Sequence, residues 1–88
     1  MNALWLGMLW YDPDKLVSVS GKILKAAAYY EKKYSRRPDL VFINPGDLAK
    51  AGGSLAVDGL KVEPDKHINP NHFWIGFSDG SKTTNLES

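Results

Sequence analysis

His67 and His72 are the only histidines in this 88-residue chain, and Glu63 and Asp65 stand just before them. Two imidazoles and a carboxylate are a donor set for a divalent metal. Carboxylates beside a histidine could also run metal-assisted hydrolysis, with Asp12 joining Glu63, Asp65, His67 and His72 if its strand end lies beside this loop. Pro70 falls between the two histidines, so they cannot share one face of a helix. A loop position for His67 and a hydrogen-bonded strand end for His72 are therefore the default. Asp65, His67 and His72 stay as weak metal candidates, and no metal or cofactor is expected.

Gly76-Phe77-Ser78-Asp79-Gly80 carries the G-x-S-x-G spacing of a nucleophile elbow. That device needs a strand-to-helix turn, with an acid and a histidine later in the chain. Only eight residues follow Gly80, and none is histidine. The segment reads instead as a strand ending in a polar turn. With no cysteine, thiol catalysis, disulfides and thiolate zinc sites are excluded. Phosphate-binding glycine loops and the H-E-x-x-H pattern do not occur. No catalytic set is complete, so the chain leans away from being an enzyme.

A third constellation is electrostatic. Residues 15–37 hold seven Lys/Arg and one acid, a balance of +6, whereas the remainder carries −5 and the whole chain +1. At 100° per residue, Leu16, Val19, Ile23, Ala26, Ala27, Tyr30 and Tyr34 share one helix face. Lys22, Lys25, Lys32, Lys33 and Arg36 fall opposite, with Tyr29 among them. Such a face could contact phosphates while Tyr29 stacks on a base. It also serves a plain purpose: Lys32, Lys33, Arg36 and Arg37 complement the helix dipole, and the charges keep a small protein soluble.

The helix that displays these residues is expected to span residues 15–37, capped by Asp12-Pro13 and stopped by Pro38; a later start near Ser20 is the rival. Residues 3–11 are apolar on both alternating faces, with Leu4, Leu6, Met8 and Trp10 on one and Trp5, Leu9 and Tyr11 on the other. A strand covered on both sides, usually a central one, reads this way. Residues 40–43 form a second strand, parallel to the first through a right-handed crossover. Asn44-Pro45 is a second cap-like pair before a helical turn over residues 48–51. Asp58-Gly59 signals a hairpin between residues 55–57 and 60–62, with one bulged strand as the alternative. Residues 73–77 form the last strand.

These elements add up to an α+β fold: a single two-layer α/β sandwich with a mixed sheet of about four strands in β-α-β-β-β order and one long amphipathic helix on one face. Residues 1–77 make the domain and 78–88 a polar C-terminal tail. One helix covers one sheet face, yet the strands are apolar on both. A second copy or a protein partner is expected to cover the other face, with Trp5 and Trp74 as interface candidates. The rival cover is the segment around Leu48 with the loops. The expected function is thus a small non-catalytic interaction module, a homo-oligomer or partner-docking protein, with nucleic-acid binding as the alternative and metal-dependent hydrolysis last. Without disulfides, a signal-peptide pattern or an apolar run long enough for a membrane span, the expected location is cytoplasmic.

Overall fold

The computed structural model describes the backbone of residues 4–78 and the side chains of residues 7–77. The Trp5 side chain and residues 79–88, which include most of the expected tail and the end of the G-x-S-x-G segment, lie outside the described residues. The elements are β1 (Leu4–Tyr11), α1 (Val19–Tyr34), β2 (Leu40–Ile43), α2 (Pro45–Lys50), β3 (Ala56–Val57), β4 (Leu60–Pro64) and β5 (His72–Ser78). They build the α+β sandwich, with a mixed sheet of five strands in the order β1-β5-β2-β4-β3.

β5 is antiparallel to both β1 and β2, and β2 is parallel to β4. The chain therefore does return from β1 through α1 to β2 in one direction, but β5 occupies the space between them. β1 lies at an edge rather than in the middle. Its double-sided apolar pattern marks a second face left open to solvent, since Leu9 and Tyr11 are largely exposed. The hairpin reading of Asp58-Gly59 holds, with β3 and β4 pairing across it. Asp58 at φ 46° and Gly59 at φ 79° give the two positive angles that a tight hairpin turn of matching twist demands.

α1 begins later than its periodicity suggests. Asp12 Oδ1 accepts from the Asp14 N–H at 3.1 Å, and Asp14 Oδ1 accepts from the Leu16 N–H at 2.9 Å. These local bonds compete with helix formation and hold residues 12–16 as a loop. Ser18 is the cap, its Oγ accepting from the Gly21 N–H at 3.0 Å. Leu16, expected on the apolar face, is 96% exposed. The helix ends at Tyr34, before Pro38 can act, because Ser35 turns left-handed at φ 55° and donates its N–H to the Glu31 carbonyl at 2.8 Å. Arg36 and Arg37 thus stand beyond the helix. Asn44 caps α2, accepting from the Gly46 N–H at 2.8 Å and the Asp47 N–H at 3.3 Å.

The core lies between α1 and one sheet face. Ile23, Ala26 and Tyr30 meet Val41, Ile43, Phe73 and Ile75, all essentially without exposure. Leu48 of α2 joins the same cluster, with Val57 and Leu60 from the hairpin. Met8, Trp10 and Tyr34 pack around its margin.

Candidate functional site

Strand alternation places the remaining large side chains on the far sheet face. In register, Leu9 opposes Trp74, and Trp74 opposes Phe42, while Tyr11 opposes His72. Directly opposed residues share a face, so Leu9, Tyr11, Phe42, Trp74 and His72 form one surface opposite α1. Leu9 is 56% exposed and Tyr11 59%. The Tyr11 and His72 rings stand 4.6 Å apart. The Trp74 indole lies over Gly7, where an added Cβ would come within 2.6 Å of Cζ2; only glycine leaves room for the ring. Leu48, the rival cover, is committed to the other side. At the flank, Lys61 and Glu63 pair at 3.4 Å. Of the two interface candidates, Trp74 sits at the centre of this surface.

The nucleic-acid candidates do not stay together. Lys25, Lys32 and Lys33 remain exposed on α1. Tyr29 is half-exposed, with the Trp10 ring 5.2 Å behind it. Arg36 has left the helix, and its guanidinium stacks 3.7 Å over the Phe77 ring. Lys22 is the clear correction: it retains only 6% exposure. The buried stripe of α1 is centred to one side of Ile23, so Lys22 falls into the i, i+4 row that continues through Ala26 and Tyr30.

Lys22 instead faces a cleft of about 430 Å³ that Lys15, Ser18, Ser20, Asp47, Lys50, Leu55 and Asn71 also line. The cleft lies where β1 ends, between the first turn of α1 and the last of α2. Asn71 joins these parts. Its N–H donates to Asp47 Oδ2 at 2.8 Å, its carbonyl accepts from the Asp12 N–H at 2.9 Å, and its side chain approaches Lys22 Nζ at 3.5 Å. Asn71 does this at φ 66°, a left-handed angle that asparagine tolerates better than most residues. Nothing in the sequence points to this junction except the positions of Lys22 and Asp47, the first in a row with Ala26 and Tyr30 that is otherwise buried and apolar, and the second just inside a capped helix.

The expected metal residues are only partly brought together. His67 Nδ1 meets Asp65 Oδ1 at 3.0 Å, and the His67 N–H donates to the same oxygen at 2.9 Å. The backbone bond, more than the ring, holds the Asp65 carboxyl below its ordinary value. His72 turns away, with Nδ1 at 2.9 Å from the Pro70 carbonyl. Asp12 does lie beside the loop, through its bond to Asn71, but its carboxylate is occupied with Asp14. Among the described residues no group of three or more His, Asp or Glu could hold a metal ion. Nor is any helix among them long and apolar enough to cross a membrane. No family model, no curated protein and no solved structure matches the chain.

Proposed function

We propose that this protein is a non-catalytic interaction module that pairs with a second copy of itself through the open sheet face. The observation that carries this is the aromatic and aliphatic surface of Leu9, Tyr11, Phe42 and Trp74, on the side of the sheet that neither α1 nor α2 covers. Leu9 and Tyr11 are exposed and Phe42 and Trp74 partly so, and contiguous apolar surface of this kind marks association sites. The paired Lys61 and Glu63 at its flank offset one another, so they set up no like-charge repulsion between two copies. Strands about 4.8 Å apart and about 17 Å long give a footprint on the order of 400 Å² per copy. That falls in the class of weak, transient interfaces, so pairing is reversible and concentration-dependent.

Sedimentation velocity over a concentration series tests this. The wild-type protein should shift from monomer towards dimer as concentration rises. Leu9→Ala removes burial worth about 1–2 kcal/mol per copy, twice over in a symmetric pair, and weakens association roughly a hundredfold. Leu9→Glu should abolish it while leaving the fold intact. A wild-type protein that stays monomeric at millimolar concentration overturns the proposal. A second reading, contact with nucleic-acid phosphates, is supported by the shared exposure of Lys25, Lys32 and Lys33 beside the half-exposed Tyr29 ring.

A further inference from the structure

We infer that the cleft between the first turn of α1 and the end of α2 is a binding site for a phosphate monoester of a small, non-aromatic molecule. Three lysines, Lys15, Lys22 and Lys50, line it against one carboxylate, Asp47. None of the three takes part in an ion pair among the described residues. The lining is therefore two positive charges in excess, the charge that a phosphate monoester dianion would neutralise.

Lys22 is the strongest single indication. It is 94% buried, since only 6% of its surface remains exposed. Among the described residues its one polar contact is with Asn71 Oδ1 at 3.5 Å, the outer limit of a hydrogen bond. An ammonium group has three donors, so at least two have no protein partner among the described residues. Asp47, the carboxylate that lines the same cleft, has one oxygen taken by the Asn71 N–H. An ammonium aimed into a cleft with so few protein partners has donors to offer an anion that enters it.

The rest of the cleft adds donors that a tetrahedral oxyanion can use. Ser18 Oγ accepts from Gly21, which leaves its own O–H free to donate. The cap also leaves the first-turn amides of Val19 and Ser20 unclaimed, at the positive end of a sixteen-residue helix. Lysines distributed around one space act as point charges towards phosphate. Leu55 and Ala51 supply an apolar wall for a short organic remainder. No aromatic side chain lines the cleft, so nothing is present to stack on a nucleobase. The site is separate from the open sheet face and does not depend on pairing.

The test is nuclear magnetic resonance titration of the full chain at constant ionic strength, with inorganic phosphate, glycerol phosphate and acetate as probes. Saturable shifts of the Val19, Ser20 and Gly21 amides with phosphate, stronger with glycerol phosphate and weak with acetate, are expected. Lys22→Met should weaken binding about tenfold or more, the effect of losing a hydrogen bond to a charged group. If that variant fails to fold, Lys50→Gln, at an exposed position, decides the matter with a smaller loss. Lys66→Gln, also exposed but outside the cleft, should bind as the wild type does. Absence of saturable shifts overturns the site, and so does equal weakening by Lys66→Gln, which would reduce the effect to diffuse charge. Glycerol phosphate no tighter than inorganic phosphate overturns the monoester assignment.

Discussion

Replacing Gly7 by alanine should destabilise the protein when Trp74 is present and stabilise it when Trp74 is gone. The new Cβ would stand 2.6 Å from Cζ2 of the indole, 2.9 Å from Cε2 and 3.0 Å from Cη2. Because these are the edge atoms of a half-buried ring on the sheet surface, the ring lifts rather than the backbone moving. Overpacking of this kind costs about 1–3 kcal/mol. Against it stands the gain from replacing glycine within a strand, about 0.5–1 kcal/mol. The clash wins, and Gly7→Ala alone should lose on the order of 1 kcal/mol, which is roughly 4–8 °C in Tm for a domain of this size. In a Trp74→Ala background the clash vanishes, so the same change should gain about 0.5–1 kcal/mol. Urea denaturation of the four proteins, at concentrations too low for self-association, gives the complete cycle. The same sign in both backgrounds would refute the packing described for this face.

Trp10 Nε1 is buried without a hydrogen-bond partner among the described residues, so Trp10→Phe should stay within about 1 kcal/mol of wild type in denaturation, since removing an unsatisfied donor offsets lost packing; Trp10→Ala should lose about 3–5 kcal/mol. Burial raises the Tyr30 hydroxyl above its ordinary value, against an opposing hydrogen bond from the Phe77 backbone. The unfolded chain therefore ionises first, and stability should be intact below about pH 10 and fall as pH rises beyond it; Tyr30→Phe should flatten that fall in a pH series of denaturation curves. If Lys25, Lys32 and Lys33 contact phosphates, a low-salt titration with single-stranded RNA or DNA should show binding whose log–log salt slope is no steeper than about −3. No binding at low ionic strength would leave Lys32 and Lys33 their structural role in the last turn of α1 and Lys25 that of a solvated charge.

Most of the fold was legible because it rests on local rules. Asp58-Gly59 and Asn44-Pro45 act through backbone angles and side-chain oxygens within a few residues, and such signals survive without knowledge of distant contacts. The start of α1 misled because Leu16 keeps the apolar period while Asp12 and Asp14 bind the backbone around it. Periodicity cannot register that competition. Strand neighbours were harder still. Trp74 and Leu9 are opposed across the sheet from opposite ends of the chain, and nothing in either segment names the other. Lys22 escapes a reading by residue type: its row runs through Ala26 and Tyr30, yet a lysine reads as solvent-facing wherever it stands. The cleft it lines depends on Asn71 and Asp47 arriving from elsewhere, which only the fold reveals.

The strand that joins β1 to the rest of the sheet, β5, comes last in sequence among the described strands. β1 pairs with β5 alone, from Leu4 opposite Ser78 to Tyr11 opposite His72, and β2 meets β1's side of the sheet only through β5. During synthesis at about 5–20 residues per second, β1 therefore waits roughly 3–12 s for its partner to leave the ribosome. Throughout that interval its LWLGMLWY segment, free of charge and of proline, has every backbone donor and acceptor unpaired, the composition from which β-aggregates nucleate. Pairings that span nearly the whole chain are also slow to find. The nascent chain thus carries an unpaired, adhesive β1 until β5 emerges, and β5 acts as the closure that ends the hazard.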